Sequence, residues 1–198
     1  VSESSCRNKE EAELTRIETS LGFPAIVKPI SLGSSIGIAR VENRAELDAA
    51  IEEALRYDAH VLVEKCVPNL REINASVLGD GVDSRVSVLE EPLGTEGVLS
   101  FKDKYMNDSS GGKTSSSKSM GEGMASLGRV IPAPVTEDEA VLIREMALKV
   151  FAALDCSGVV RIDFLMDAIT GEVWFNEINT IPGSLSFYLW EPTGVPFD

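Results

Sequence analysis

The feature that most constrains this chain lies near its end, where the strand-like runs GVVRIDFLMD (158–167) and EVWFNEIN (172–179) are joined by the turn-like AITG. Polar residues interrupt both runs where buried strands are normally apolar. Ionisable groups within apolar strands are costly unless they are paired or bound to a cation. Antiparallel pairing across residues 167–171 sets Met166 against Glu172, Asp163 against Phe175 and Arg161 against Glu177. A side-chain period of two then projects Arg161, Asp163, Glu177 and Asn179 from one face. Two carboxylates and an amide oxygen are hard ligands suited to Mg²⁺, and an adjacent arginine suits phosphate. The pattern reads as a metal-nucleotide platform. The alternative is a solvated sheet face with Arg161 and Glu177 as an ordinary cross-strand pair.

Upstream, KEEAELTRIETSL (9–21) is helix-like and is stopped by Gly22 and Pro24, after which AIVKP and IARV read as strands flanking SLGSSIG. Asn43 and Glu46 resemble an N-cap with its reciprocal carboxylate ahead of Leu47, Ile51 and Leu55 at helical spacing. HVLVEK, REINASVLGD and SRVSVLEE read as three strands, the second reversing through GDG into the third. Thr136 and Glu139 repeat the capping pattern and open a helix through AVLIREMALKVFAAL. This order lacks the regular strand–helix alternation of a doubly wound sheet, and an α+β arrangement on antiparallel strands fits it.

Composition removes several classes of function. No run reaches the roughly 18 apolar residues of a membrane helix, and VSESSCRNKEEAEL is unlike a signal peptide. Cys6, Cys66 and Cys156 are odd in number and widely spaced, so they encode neither a disulfide framework nor a zinc site, and a reducing cytoplasm is the expected location. A formal net charge of -14 argues against nucleic acid. The single histidine, His60, opens a strand and has no second histidine for a metal site or triad. Chemistry must rest on Lys, Arg, Asp, Glu, Asn, Ser and backbone amides.

Three further stretches bear on that chemistry. In VKPISLGSSIG, Lys28 follows an apolar strand, and Gly33, Ser34, Ser35 and Gly37 form a turn whose amides and hydroxyls can face phosphate, although a hairpin loop with a chance lysine has the same appearance. Glu64 and Lys65 end the strand VLVEK and can meet an adenine edge, while Glu72 in REI can accept from ribose hydroxyls; a solvated pair of charges ending a strand reads the same way. GGKTS is not a Walker loop, because Asn107 stands where that pattern needs glycine.

Together AIVKPISLGSSIGI, VLVEKCVPNLREI, FKDKY, VVRIDFLMD and FNEINTIPGS occur in the order found in ATP-grasp ligases and closely resemble the D-alanine–D-alanine ligase family, from about Gly22 to the end. The resemblance implies an ATP-grasp fold, two α+β lobes with antiparallel sheets sandwiching the nucleotide. It implies that Lys28 contacts the phosphates under a turn at Ser34 and Ser35, that Glu64, Lys65, Cys66 and Val67 line the adenine pocket, and that Glu72 holds ribose. Lys104 and Tyr105 match a loop lysine near the γ-phosphate and its neighbour. Asp163, Glu177 and Asn179 match ligands of Mg²⁺ (or Mn²⁺), usually two ions with ATP, and Arg161 and Gly183 match groups that steady the transferring phosphoryl group and the tetrahedral intermediate.

The implied reaction is ATP-dependent joining of two D-alanines through an acyl phosphate, for peptidoglycan, by a cytoplasmic homodimer. Tyr188 departs from the small hydroxyl residue of better-known members, so Ser184, Ser186 and Tyr188 are candidates for the acceptor end, and D-lactate, D-serine or another amino acid is an alternative acceptor. A non-catalytic nucleotide-binding module is the alternative of a different class. The expected organisation is a lead-in at 1–21, a central lobe at 22–94, a lid loop at 95–135 with 107–123 disordered, and an incomplete catalytic lobe at 136–198. On this reading an N-terminal lobe and a C-terminal helix of the family are missing, and the chain alone performs little or no ligation.

Overall fold

The computed structural model describes residues 3–32, 36–80, 83–93 and 128–196, apart from the side chains of 3–10. The candidates Ser34, Ser35, Lys104 and Tyr105, and the stretch 107–123, lie outside the described residues. Two units divide the chain between Cys66 and Val67.

In the first unit, α1 (Glu3–Leu21) precedes β1 (Ala25–Pro29), β2 (Ala39–Val41), α2 (Arg44–Ala54) and β3 (Val61–Lys65). The strands form an antiparallel sheet in the order β2-β1-β3. Ala25 and Val27 alternate inward and pack with Val41, Val61, Leu47 and Ile51 and with Leu14 and Ile17 of α1. The helix α1 starts six residues before the expected Lys9, at Glu3. Asn43 caps α2 by accepting from the Glu46 amide at 3.1 Å. The Glu46 carboxylate returns to the Glu42 amide and the Asn43 side chain, at 2.8 and 2.7 Å, so the return bond falls one residue earlier than in a standard capping box.

The second unit is built on β4 (Leu70–Gly79), β5 (Ser84–Pro92), β6 (Arg129–Val130), β7 (Gly158–Asp167) and β8 (Val173–Asn179), with α3 (Glu137–Ala153) between β6 and β7. All five strands are antiparallel, in the order β6-β5-β4-β7-β8. Thr136 and Glu139 form a full capping box at the start of α3, as their spacing predicts. Its Ala140, Ile143, Ala147 and Phe151 cover Ile73, Ala75, Val77, Ile162, Phe164 and Met166 on one sheet face. Leaving residues this apolar in water would cost roughly 1.5–3 kcal/mol per large side chain, which is what holds helix to sheet.

The sheet redraws one boundary. The sequence groups 22–94 as one lobe, but ten cross-strand pairs join β4 to β7, from Leu70–Asp167 to Gly79–Gly158. β4 and β5 therefore belong with the last hairpin, not with β1–β3. A long-range pairing of this kind leaves no mark on the periodicity of either strand.

Candidate active site

The last hairpin forms, but its register differs from the expected one. Met166 faces Val173 and Phe164 faces Phe175, after which Asp163 faces Glu177 and Arg161 faces Asn179, with Asn176 as the extra residue of a β-bulge. The bulge settles the chemistry. Val173 and Phe175 are paired with residues of the core-facing set, and simple alternation would carry Glu177 and Asn179 to that same apolar side. One inserted residue turns them to the opposite face, beside Arg161 and Asp163. The four residues do share a face, for a reason that alternation alone did not contain.

On that face Glu90 of β5 is opposite Asn74 of β4, Asn74 is opposite Asp163 of β7, and Asp163 is opposite Glu177 of β8. Directly opposed residues share a face, so these four make a polar row across the sheet. A parallel row runs through Ser76, Arg161 and Asn179. Arg161 donates Nε and Nη2 to the two oxygens of Asp163, each at 2.7 Å, and Asn179 Nδ2 donates to Asp163 Oδ2 at 3.0 Å. The ordinary Arg161–Glu177 cross-strand pair is thus not formed. Burial works against the charge of Arg161, but the hydrogen bonds and charge of Asp163, with smaller contributions from Tyr188 and Glu90, outweigh it and raise its pKa. Arg161 is a permanent cation.

At the end of the row Glu90 is buried, its side chain 3% exposed. It accepts from Asn74 Nδ2 at 3.2 Å, from Tyr188 Oη at 3.0 Å and from Arg129 Nη1 at 3.2 Å. The Arg129 guanidinium also lies 4.3 Å from the centre of the Tyr188 ring. Burial, with the charge of Glu90, pushes the Tyr188 hydroxyl up from its ordinary pKa, against Arg129 and Arg161. Tyr188 therefore stays a neutral donor. Glu90, Arg129 and Asn74 were not found from the sequence; the only signal was a glutamate pair ending an otherwise alternating strand, which is usually a solvated edge.

Tyr188 belongs to the short helix α4 (Phe187–Trp190), which follows a turn at Gly183–Ser186. Ser184, Leu185 and Ser186 are all left-handed, with φ of 53°, 49° and 54°. Such backbone costs L residues roughly 1–2 kcal/mol each and persists only where surrounding contacts impose it. Those contacts are visible. Trp190 Nε1 donates to Ser76 Oγ at 3.0 Å, and Thr193 Oγ1 accepts from the Val88 amide at 2.8 Å and donates to the Leu189 carbonyl at 2.6 Å. Val88 lies in a second bulge, where pairing slips between Ala75–Leu89 and Val77–Val86, so a side chain takes the amide that the ladder leaves free. Ser186 Oγ is buried with no partner among the described residues; Ser184 is exposed.

In the first unit Lys28 Nζ meets Glu64 Oε2 at 2.6 Å. Opposed pairs Ile26–Glu64 and Lys28–Leu62 put both on the sheet face away from α1 and α2. Lys65 is exposed, Cys66 is part-buried and tied to Pro24 through its amide at 3.1 Å, and Val67 is part-buried. Glu72 is exposed on β4 of the second unit. Gly183 opens the left-handed turn.

The donor set of Asp163, Glu177 and the Asn179 amide fits a hard divalent cation in chemistry, since all three present oxygen from one face. Among the described residues no group of three or more His, Cys, Asp and Glu gathers to hold a metal ion of any kind, so the set rests on two carboxylates and one amide. No helix among them is long and apolar enough to cross a membrane.

Comparison with known proteins agrees with these features. The family model described as "D-ala D-ala ligase C-terminus" matches residues 1–198. The D-alanine--D-alanine ligase of Heliobacterium modesticaldum is 40% identical over 94% of this chain and 47% of its own length, and that of Thermosipho melanesiensis is 42% identical over 92% and 45%. The chain thus spans about half the length of the curated relatives it matches. Among solved structures, VanG D-Ala:D-Ser ligase from Enterococcus faecalis superposes with a TM-score of 0.77 at 30% identity, over 100% of this chain and 52% of that one. The D-alanine-D-alanine ligase from Coxiella burnetii gives 0.70 at 25% identity, over 99% and 46%. With helices on antiparallel sheets and these neighbours, the fold is the α+β ATP-grasp arrangement. The chain belongs to the D-alanine–D-alanine ligase family, in the part that the C-terminal family model describes.

Proposed function

We propose that this chain is the nucleotide- and metal-handling part of an enzyme that joins two D-alanines at the expense of ATP, supplying a peptidoglycan precursor. The observation that carries the reading is the polar row on one sheet face, with Asp163 and Glu177 opposed and Arg161 bonded to Asp163 beside them. Relatives named D-alanine--D-alanine ligase support it.

In this reading Asp163, Glu177 and Asn179 would hold Mg²⁺, which when bound neutralises phosphate charge. The first D-alanine carboxylate attacks the γ-phosphorus, ADP leaves, and an acyl phosphate results. The amine of the second D-alanine then attacks the acyl carbon and inorganic phosphate departs. Phosphoryl transfer depends mostly on positioning and charge neutralisation, so the absence of a catalytic histidine is no obstacle. Arg161 uses Nε and Nη2 on Asp163, which fixes the guanidinium plane while Nη1 offers protons to a phosphoryl oxygen. Lys28 and Ser34, Ser35 and Lys104 are proposed for the phosphates, Glu64, Lys65, Cys66 and Val67 for adenine, and Glu72 for ribose. Gly183 is proposed for the tetrahedral intermediate, with Tyr105, Ser184, Ser186 and Tyr188 at the amino-acid end.

A second acceptor is supported by one observation, the likeness to a D-Ala:D-Ser ligase, and the Tyr188 phenol, which donates to Glu90, is the group proposed to meet that acceptor. The test of both is phosphate release by the full-length protein with Mg-ATP and D-alanine, alone or with D-serine or D-lactate. Release with D-alanine, and the dipeptide as product, is expected. No D-alanine-dependent release would sink the ligase reading, and preferential incorporation of D-serine would replace the acceptor.

A further inference from the structure

Glu90 is a buried carboxylate to which the reaction above gives no task. Burying a carboxylate is expensive, and apolar packing serves stability as well or better, so its three donors ask for another explanation. They come from three elements: Asn74 from β4, Arg129 from β6 and Tyr188 from α4. Asn74 stands directly between Glu90 and Asp163 in the row, which sets Glu90 about 10 Å from Asp163, two strand spacings away. Tyr188 is held at both ends, its hydroxyl by Glu90 and its ring face by Arg129.

From this geometry we infer that Glu90 is the positioning residue of the acceptor end: it fixes the Tyr188 phenol and the Arg129 guanidinium as one unit, and that unit shapes the space open to the attacking amine's substrate. The inference rests on the ligase reading proposed above. Two further features agree. The left-handed Ser184–Leu185–Ser186 turn ends two residues before Tyr188, and a strained backbone needs anchors on its far side. Trp190 and Thr193 anchor α4 to β4 and β5, leaving the rotamer of Tyr188 to be set by Glu90. A rigid group supported by a second layer of hydrogen bonds is what discrimination between acceptors of similar size requires.

The test uses the full-length protein, with phosphate release measured as D-alanine and ATP are varied. In Glu90→Ala and in Tyr188→Phe the KM for the acceptor D-alanine should rise about 10-fold, while kcat and the KM for ATP stay within about 2-fold. The double variant should add no more, because both changes break one contact. Glu90→Gln keeps an accepting oxygen for the phenol and should return the acceptor KM to within about 3-fold of the parent. A joint shift of kcat, both KM values and the thermal midpoint in Glu90→Gln would make the carboxylate a structural group and overturn the inference. If Glu90→Ala does not fold, Tyr188→Phe decides, and an acceptor KM within about 2-fold of the parent's overturns it. A parent that releases no phosphate with D-alanine overturns the ligase reading together with this role; a parent that turns over while Tyr188→Phe leaves its acceptor KM unmoved overturns only the role of Glu90.

Discussion

The two faces of the five-stranded sheet are made from the same strands, yet one is closed by apolar packing and the other carries a row of charge. On the first, Ile162 and Phe164 are fully buried beneath α3. On the second, Arg161 and Asp163, their immediate neighbours in sequence, are 16% and 14% exposed and bonded to each other. Alternation along β7 makes both faces at once, so a strand can stabilise the unit and present chemistry without compromise between the two tasks. The cost appears at β8, where a bulge is needed to keep its polar residues off the packed side.

Substitutions on the two faces should separate stability from turnover. Phe164→Ala removes a fully buried ring and is expected to cost about 3–5 kcal/mol, read as a fall in denaturant midpoint. On the ligase reading proposed above, Asp163→Asn, one residue away, should lower D-alanine-dependent phosphate release by the full-length protein on the order of 100-fold, about 2.7 kcal/mol of transition-state stabilisation, with a much smaller midpoint shift. Equal midpoint losses in the two variants would break the division between faces.

Smaller effects sharpen it. Thr136→Ala deletes the cap that aims α3 at the apolar face and should cost about 1 kcal/mol of stability, visible in thermal unfolding, with the KM values unchanged. Asp167, the last residue of β7, accepts from the Ile169 amide at 2.8 Å, from Asn69 Nδ2 at 3.3 Å and from the Thr170 amide at 3.5 Å. The Ile169 bond chiefly, with those of Asn69 and Thr170, outweighs burial and lowers its pKa. Its contribution is therefore fully present above the unfolded carboxylate value near 4 and lost as pH falls through the lower folded value. Asp167→Asn should flatten the fall of stability below about pH 4 and leave the neutral-pH curve nearly parallel to the parent's.

Much of this was readable in residues close together in sequence. Both helix caps, at Asn43 and Thr136, depend on side chains three positions apart, and the spacing of Leu47 and Ile51 announces the buried stripe of α2. The β7–β8 hairpin was legible for the same reason, and so was the identity of Arg161, Asp163, Glu177 and Asn179 as its unusual members. Lys28 and Glu64 were each singled out, though not their contact at 2.6 Å, which arises from a diagonal across β1 and β3.

What the sequence determined by itself is local: where helices start, which residues alternate, and which side chains could bind phosphate or a hard cation. Those properties follow from backbone geometry over three or four residues, and no distant partner is needed to express them. Tertiary structure alone decided the pairing of β4 with β7, the bulge that turns Glu177 toward Asp163, and the meeting of Glu90, Arg129 and Tyr188 from three separate elements. The physical reason is that register and burial are set by the whole sheet. A one-residue slip changes the face of every side chain beyond it, and its energy is settled by α3 and the neighbouring strands, not by the residues that slip.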